Sequence, residues 1–390
     1  MALAAAMLLA LVAGSLVYCV LIVVAVRRYL AARPPQLTHL APVSMLKPLA
    51  GLDEGLEENL RSYFQQDYPE FEILFAVREA SDPAVPVVEK LCREFPRVPA
   101  RLLVTGEPPY PNAKVFSLAR MTAEARYDLL AMNDSDTRAG PHMLRTLAAE
   151  FQDPSLGVAT CPYRAVPGRS FWSRLEAIGM NTEFLAGLLV ARLVEGVKFA
   201  LGPCLAARRE TLERMGGFDR LKDYLAEDFV MGAFAAELGY RVILSSCLIE
   251  HRIGSQPFPA NLDHRLRWAR STRRSRPKGY AGQIFTYPLP LAILLVALKP
   301  AWWPLLALAA LFRALAAWAT AACVLRDPLT ARRWWLVPVQ DLASFAIWIA
   351  GFFGNTITWR GRRYYLFPDG RFELKQEFTA ETRRRGGNPA

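Results

Sequence analysis

The sequence predicts an α/β domain set between membrane helices. Residues 2–26 contain no charged side chain, and three more apolar stretches follow residue 283. Between these ends, from about residue 42 to 282, short strand-like runs alternate with helical ones, which is typical of a mixed, mostly parallel sheet covered by helices. The mean hydropathy of +0.14 is high for a soluble enzyme, yet charged residues make up 21% of the chain. Soluble and membrane segments must therefore share the 390 residues.

The N-terminal apolar run predicts a membrane helix, because about 20 apolar residues are enough to cross a bilayer. A secretory signal peptide is the alternative, but the run lacks a preceding positive charge and is too long for one. Arg27 and Arg28 follow it directly, and by the positive-inside rule they place the next domain on the cytoplasmic side. We therefore assign residues 1–30 to an N-terminal transmembrane anchor.

The C-terminal apolar stretches, over 284–298, 301–325 and 334–359, are predicted to be membrane helices. Four full crossings would place the basic C-terminus outside, whereas the charge rule prefers it inside. One stretch is therefore a candidate re-entrant hairpin, and the number of crossings stays open. We assign 283–360 to membrane helices and 361–390 to a basic tail.

The region between them, 42–282, carries the α/β pattern. The sequence predicts strands over 43–46, 71–77, 101–104 and 129–132, and helices over 55–66, 84–95 and 113–125. Ligands in sheets of this kind bind beyond the carboxyl ends of the strands. The residues that directly follow each strand are therefore the candidates for a functional site.

Acidic residues follow two of these predicted strands. Asp82 comes after the second strand, although an aspartate before a proline is often only a turn former. Asp134 and Asp136 come after the fourth. Alternate residues leaving a strand can both reach one hard cation, and Mg²⁺ or Mn²⁺ takes one or two carboxylates together with phosphate oxygens. The pair is thus either a metal site or an exposed turn.

Composition excludes several other classes of protein. The 47 Lys and Arg residues outnumber the 36 Asp and Glu residues by 11, but the basic residues collect at membrane boundaries and no nucleic-acid motif is present. We therefore expect no nucleic-acid partner. The six cysteines are widely spread without a CxxC spacing, so they predict neither a disulfide framework nor a zinc site.

Two segments beside the membrane stretches predict contact with lipid. Residues 171–197 have the pattern of a long amphipathic helix, which either lies at the membrane interface or packs on the sheet. A basic cluster precedes the first C-terminal membrane stretch, and such clusters usually bind anionic headgroups, although part of this one could also face the nucleotide. The cluster comprises Arg265, Arg267, Arg270, Arg273, Arg274, Arg276 and Lys278.

The order of the motifs along the chain resembles a known family. In sequence order the motifs are Asp82 in SDPA, Asp134-Ser135-Asp136, Gly216-Gly217-Phe218-Asp219, Glu227-Asp228 and His264-Arg265-Leu266-Arg267-Trp268. This order is similar to that of family 2-like glycosyltransferases with a GT-A fold. Together with the terminal membrane helices, the chain resembles the ceramide glucosyltransferase branch, which carries aspartate motifs and a (Q/R)xxRW motif. Hopanoid-lipid N-acetylglucosaminyltransferases are also similar.

For the donor, the resemblance implies a UDP-sugar held by residues from the strand ends. Asp82 would contact its uracil or ribose, and Asp134 and Asp136 would hold a divalent metal, Mn²⁺ or Mg²⁺, on the diphosphate. Lys114 matches a lysine near the nucleotide in similar enzymes, the alternative being an ordinary solvated lysine in the first turn of a helix.

For the chemical step, the resemblance makes Asp228 the catalytic base. The alternative for Asp228 is the N-cap of a predicted helix over 229–238. Arg267 and Trp268 would close over the diphosphate and the acceptor. His264 occupies the first position of that motif, where the family pattern has Gln or Arg.

The function implied by the resemblance is inverting transfer of a hexose from a UDP-sugar to a membrane lipid. UDP-glucose with ceramide ranks first, and UDP-N-acetylglucosamine with a hopanoid lipid second. We expect an integral protein of a bacterial inner membrane, with the catalytic domain cytoplasmic. A non-catalytic membrane scaffold or transporter is the alternative of another class, disfavoured because the acidic positions and Arg267-Trp268 are all present.

Overall fold

The structure is a computed structural model, and it describes residues 2–359 and 362–375. Its elements follow the predicted alternation closely. From the N-terminus to the end of the α/β region they are α1 (Ala2–Ala31), β1 (Val43–Pro48), α2 (Leu56–Phe64), β2 (Phe71–Val77), α3 (Val85–Glu94), β3 (Ala100–Val104), α4 (Ala113–Glu124), β4 (Leu129–Asn133), β5 (Thr137–Arg138), α5 (Met143–Glu150), β6 (Leu156–Thr160), β7 (Tyr163–Pro167), α6 (Phe171–Gly179), α7 (Leu185–Val194), β8 (Cys204–Arg208), α8 (Arg209–Arg214), α9 (Glu227–Glu237), β9 (Arg241–Leu244), β10 (Ile249–Gly254) and α10 (Phe258–Ser275).

The remaining elements lie in the C-terminal quarter of the chain. They are α11 (Pro277–Gly282), α12 (Pro288–Leu298), α13 (Trp303–Ala317), α14 (Pro328–Arg332), α15 (Leu336–Gly351), β11 (Thr356–Trp359), β12 (Arg362–Leu366) and β13 (Phe372–Leu374).

The central sheet is mixed and mostly parallel, which confirms the predicted fold class. Among the described residues it has seven strands in the spatial order β3-β2-β1-β4-β8-β6-β9. Strand β8 runs antiparallel to both of its neighbours, while the other pairings are parallel. The carboxyl ends of β1, β2 and β4 therefore meet at one edge, where the predicted acidic residues follow β2 and β4.

Alternate residues of the central strands face different helical layers, because side chains in a strand have a period of two. Met45, Ile73 and Phe75 pack with α2, α3 and α5. Leu46 and Leu74 face the other way and pack with α4 and α9. All five side chains are fully buried. Burial of each side chain stabilises the fold by about 1.5–3 kcal/mol. A slip of one residue in strand register would turn the buried side chains of that strand to the opposite face.

The apolar ends of the chain form the predicted helices. Within the described residues, α1, the helix over 171–194 and the helix over 300–324 are long and apolar enough to cross a membrane. A pair of helices over 277–286 and 288–298, bent by 63°, is a candidate for one more broken span or a re-entrant loop. Helix α15 is apolar but shorter. Val12 of α1 is buried against α12 and α13.

The segment 171–194 joins the α/β domain to the membrane helices. It is one continuous helix in which a π turn, Met180–Phe184, separates α6 from α7. In the most apolar stretch of this helix, 67% of the residues are buried. Its neighbours include α1, α15 and strand β7. It therefore packs on the domain and on the membrane helices at the same time.

The C-terminal boundary differs from the prediction. The stretch expected to be a membrane helix over 334–359 is helical only to Gly351, and the first part of the expected basic tail forms β12 and β13. Strands β11, β12 and β13 make a small antiparallel sheet because alternating apolar side chains give it a core of its own. The backbone of Phe372 donates to Asp223 (2.9 Å), which docks this sheet on the loop before α9. Residues 360, 361 and 376–390 of the predicted tail lie outside the described residues.

Candidate active site

A cavity of about 1880 Å³ opens where the strand ends of the sheet meet the membrane helices. All the site residues predicted from the sequence line it, namely Asp82, Lys114, Asp134, Asp136, Asp228, His264, Arg267 and Trp268. They come from loops after β2 and β4 and from helices α4, α9 and α10. Residues separated by nearly 190 positions in sequence therefore share one site.

The two aspartates after β4 are held by buried basic side chains. Lys47, at the end of β1, donates from Nζ to the backbone oxygen of Asp134 (2.9 Å). His251 of β10 lies with Nε2 3.2 Å from Oδ2 of Asp136. Burial alone would raise the pKa of Asp136, but His251 beside it lowers that pKa below its usual value. Asp136 is therefore ionised, as a metal ligand must be.

The aspartate pair is a candidate site for a divalent metal, although burial raises the pKa of Asp134, whose carboxylate is paired with Lys114. The second carboxylate oxygen of Asp136, Oδ1, is buried without a hydrogen-bond partner among the described residues. No cluster of three or more acidic, histidine or cysteine ligands is found in the described part of the chain. Two carboxylates completed by the oxygens of a bound diphosphate are the arrangement that Mg²⁺ or Mn²⁺ uses in such sites.

Lys114 is an inward-facing cation and not a solvated surface lysine. Asn112 caps α4 by accepting from the backbone N–H of Val115 (3.1 Å), which sets the first turn that carries Lys114. The Nζ atom of Lys114 lies 2.7 Å from a carboxylate oxygen of Asp134 and 3.1 Å from one of Glu227. Burial alone would lower the pKa of Lys114, but these carboxylates raise it, so the lysine keeps its charge inside the cavity.

Asp228 lies in the first turn of α9, facing the same space. Ala226 occupies the N-cap position, so Asp228 is not the cap of this helix. Burial, with Glu227 next to it, raises the pKa of Asp228 to about 7. A carboxylate with a pKa near neutrality is well suited to take up a proton as a general base.

Gly202 shows how closely these groups converge. A Cβ atom at this position would lie 3.1 Å from Asp228 Oδ2, 3.2 Å from Lys114 Nζ and 3.6 Å from Asp134 Oδ2. The candidate base, a cation and a candidate metal ligand thus surround one small backbone position. A side chain there would occupy the space that the three groups share.

Asp82 holds two loops together at the edge of the cavity. Both of its carboxylate oxygens lie 3.1 Å from the backbone N–H of Gly51, and Oδ1 accepts from Ala84 (2.9 Å). The bond to Ala84 is the turn-forming role expected of an aspartate before a proline. The bond to Gly51 couples the loop after β1 to the loop after β2, and both loops line the cavity.

The motif on α10 is anchored through its first and last residues. Nδ1 of His264 lies 2.8 Å from Glu176 of α6, which also accepts from Asn261 (2.6 Å). Trp268 packs edge-on against Phe184, with ring centroids 5.8 Å apart, and lies 5.6 Å from His264. Arg267 lines the cavity between them. The histidine is thus a partner of a buried carboxylate, a role that the sequence pattern did not reveal.

Several arginines of the predicted lipid-binding cluster form hydrogen bonds within the protein. Arg270 donates to the backbone oxygens of residues 353 and 356, at 3.1 and 2.6 Å. Arg273 donates to the backbone oxygen of Gly354 (2.8 Å) and to Asn355 (2.9 Å), and Arg265 to Ser344 (3.0 Å). Arg270 and Arg273 thus tie α10 to the segment after α15, where they satisfy carbonyls at a helix end, and Arg265 ties α10 to α15 itself.

The fold is that of the GT-A glycosyltransferases. The structure of the mannosyltransferase PcManGT from Pyrobaculum calidifontis, in complex with GDP-Man and Mn²⁺, matches with a TM-score of 0.56. The match covers 90% of this chain and 97% of that one. At 21% sequence identity the likeness establishes the fold alone.

The chain belongs to glycosyl transferase family 21, whose profile matches residues 6–372. This confirms the family expected from the order of the motifs. Ceramide glucosyltransferase 1 of Caenorhabditis elegans is 29% identical over 206 residues, which cover 52% of this chain and 44% of that protein. Ceramide glucosyltransferase of Komagataella phaffii is 39% identical over 107 residues, 26% of this chain and 20% of that protein. The chain therefore matches half or less of the length of these relatives.

Proposed function

We propose that the protein is an inverting glycosyltransferase that moves a hexose from a UDP-sugar to the hydroxyl of a membrane lipid. UDP-glucose is the preferred donor and ceramide the preferred acceptor, in line with the names of the curated relatives. The observation that carries the proposal is the convergence of Asp228, Lys114 and Asp134 around Gly202. A base, a cation and a metal ligand are the groups that transfer from a nucleoside diphosphate requires.

On the donor side, Asp134 and Asp136 would hold Mn²⁺ or Mg²⁺ against the diphosphate. When bound, the cation neutralises the charge that builds on the departing UDP. Lys114 adds a positive charge beside Asp134, and Lys47 fixes the loop by its bond to the Asp134 carbonyl. Asp82 positions the loops after β1 and β2 around the nucleoside. Arg267 and Trp268 cover the diphosphate and the acceptor from α10.

On the acceptor side, Asp228 accepts the proton of the lipid hydroxyl as its oxygen attacks the anomeric carbon. The bond between that carbon and the diphosphate oxygen breaks, and UDP leaves with the bonding electron pair. Because attack and departure occur on opposite faces of the sugar, the anomeric configuration inverts. Burial of Asp228 keeps its pKa near neutrality, which favours proton uptake over permanent ionisation.

The lining of the cavity favours a lipid as acceptor. Besides the polar residues above, its lining includes Tyr18 of α1, Leu188 of α7 and Ile347 of α15. These helices belong to the apolar part of the chain, and α1 is a candidate membrane span. A lipid could thus keep its chains among the helices while its hydroxyl reaches Asp228. A non-catalytic scaffold would have no need to retain the complete set of charged residues.

The test is to incubate the purified protein with each UDP-sugar and each lipid and to identify products by mass spectrometry. Hexosylceramide from UDP-glucose is the expected product. A product formed only from UDP-N-acetylglucosamine and a hopanoid lipid would replace the proposed donor and acceptor. No product with any lipid would contradict a lipid glycosyltransferase.

We further propose that the α/β domain lies on the cytoplasmic face of a bacterial inner membrane. Arg27 and Arg28 at the end of α1 support this orientation. Glu210 has an exposed side chain away from the cavity, so a cysteine placed there by Glu210→Cys reports the side of the membrane. We expect an impermeant thiol reagent to label it in permeabilised cells only. Labelling in intact cells, beyond that of the unsubstituted chain, would refute the orientation.

A further inference from the structure

The π turn between α6 and α7 separates two sets of side chains. Among its five residues, Met180, Glu183 and Phe184 line the cavity. Asn181 and Thr182 are buried on the opposite side. Single π turns inside α-helices are frequent at functional sites, because they change which residues face a common surface.

Asn181 and Thr182 fix the π turn through hydrogen bonds to neighbouring segments. Asn181 accepts from the backbone N–H of Ala165 (2.8 Å) and donates to its oxygen (3.1 Å). It also donates to Asp327 (3.0 Å). Thr182 accepts from Arg313 of α13 (3.0 Å). Strand β7, α13 and the loop before α14 therefore all hold the turn, and the direction of its cavity-facing residues is built into the fold.

Glu183 projects from this turn into the cavity. Its Oε1 accepts a hydrogen bond from the hydroxyl of Tyr287 (2.8 Å). Tyr287 is held by the rings of Phe345 and Trp348, at centroid distances of 5.5 and 5.9 Å. Leu188 and Trp348 line the same cavity. Tyr18 and Arg265 line the cavity as well, so the pair is a hydrogen-bond acceptor on a wall that is apolar only in part.

A carboxylate in a helix that is long and apolar enough to cross a membrane is uncommon and is usually functional. Neutralising Arg313 is not the role of Glu183, because Arg313 is paired through two nitrogens with Asp341 at 2.8 and 2.7 Å. Arg265 is another arginine near Glu183, and Glu176 acts on its charge more strongly than Glu183 does. A carboxylate has about four acceptor positions, and Tyr287 uses one of them. Glu183 therefore has capacity for a hydrogen-bond donor brought into the cavity by a ligand.

The neighbouring residue connects this position to the donor side. Phe184 packs against Trp268 of the α10 motif and stacks on Tyr163, at centroid distances of 5.8 and 5.4 Å. The cavity is continuous from Asp228 to Tyr287. If the reacting hydroxyl of a lipid faces Asp228, the neighbouring polar groups of that lipid would lie along the side of the cavity that carries Glu183.

From this geometry we infer that Glu183, oriented by Tyr287, recognises a second hydrogen-bond donor on the acceptor lipid, next to the hydroxyl that receives the sugar. The inference rests on the proposed function and specifies its acceptor class. Lipids with an amide N–H or a further hydroxyl beside the reacting hydroxyl fit this site. A diacylglycerol, which has one hydroxyl and no other donor, leaves the carboxylate without its partner. Glu183 is a specificity residue, and the proton of the reacting hydroxyl goes to Asp228.

The experiment compares acceptors that differ in this second donor. Purified full-length protein in lipid nanodiscs is assayed with UDP-glucose or UDP-N-acetylglucosamine and with ceramide, a hopanoid polyol or a chain-matched 1,2-diacylglycerol. The wild-type protein should prefer the ceramide or the polyol. Glu183→Gln should lower kcat/KM for that acceptor roughly 10- to 100-fold and leave the rate with diacylglycerol nearly unchanged, because a hydrogen bond to a charged group is lost. Tyr287→Phe should lower the same preference by a smaller factor.

Matched substitutions and a binding measurement make the result decisive. Glu210→Gln and Tyr365→Phe change the same residue types outside the cavity and should leave the preference intact. Binding of a fluorescent short-chain ceramide should weaken in Glu183→Gln, while binding of UDP should not. An active wild-type protein whose preference is unchanged in Glu183→Gln, or equal losses with all acceptors, would overturn the inference. A wild-type protein that glycosylates no lipid would overturn the proposed function itself.

Discussion

Nε2 of His251 lies 3.2 Å from one carboxylate oxygen of Asp136, and the other oxygen of that carboxylate is buried without a hydrogen-bond partner in the described part of the chain. Burial alone would lower the pKa of His251, but Asp136 raises it above its ordinary value. The same contact lowers the pKa of Asp136. The histidine thus favours the ionised form of the carboxylate and leaves its other oxygen available to a cation.

We therefore predict that transfer depends on a divalent metal. EDTA should abolish product formation, and Mg²⁺ or Mn²⁺ should restore it. Asp136→Asn should weaken Mn²⁺ binding in the presence of UDP at least 10-fold by titration calorimetry, since the amide lacks the charge. Asp128→Asn, at a side chain that is 92% exposed, is the matched control and should bind normally. Full transfer in chelator would leave the aspartate pair with a structural role only.

A second prediction concerns the base. Asp228→Asn should lower kcat on the order of 10²–10⁴-fold, because proton abstraction from the lipid hydroxyl is lost while the side chain keeps its size. Binding of the UDP-sugar, measured separately, should change little, since the substitution acts on the chemical step. Glu237→Gln, at the exposed far end of α9, serves as the control. Transfer above one tenth of the wild-type rate would rule out Asp228 as the base.

A third prediction concerns the departure from the family pattern at position 264. His264→Gln should retain most activity, because a glutamine amide can also donate to Glu176 and the pattern itself allows Gln. His264→Leu should lower the free energy of unfolding by about 1–3 kcal/mol, since Glu176 would keep Asn261 as a partner but lose the histidine. Thermal unfolding and transfer rates of both variants provide the test. Equal unfolding temperatures and equal transfer rates of the two variants would show that the contact between residue 264 and Glu176 contributes to neither property.

Much of this architecture could be predicted from the sequence, because local patterns encode it. Strand β2 has the predicted bounds, and α4 begins at the predicted residue. Asp134 and Asp136 could be proposed as site residues because they follow a strand immediately, and both line the cavity. Their partner His251 was not, because it comes from β10, more than 100 residues later. Contacts between distant segments leave no local periodicity in the sequence. A residue such as His251, which comes from another part of the chain, is therefore harder to predict than the aspartate it contacts.

Lys47 and Glu183 illustrate the same limit. A lysine at the end of an apolar strand usually reaches solvent, whereas Lys47 is fully buried and lies 3.6 Å from the ring centroid of Tyr63. Glu183 was only one charge in an amphipathic pattern, and the π turn that directs it to the cavity breaks the helical period on which that pattern depends. The contacts of Arg270 and Arg273 could not be predicted either, because their acceptor carbonyls lie on a loop some 80 residues away.

The last prediction concerns the ion pair between Arg313 and Asp341, which joins α13 to α15 and supports the turn that carries Glu183. Their side chains are 4% and 1% exposed, and two nitrogens of the arginine bind the two carboxylate oxygens. Arg313→Met should destabilise the protein by about 3–5 kcal/mol, because it leaves a buried carboxylate without its counter-charge. The double variant Arg313→Met with Asp341→Leu should recover most of that loss, since both buried charges are then removed. Thermal unfolding in the same nanodiscs measures both changes, and a double variant no more stable than Arg313→Met would show that the arginine acts through its bond to Thr182 and not through the ion pair.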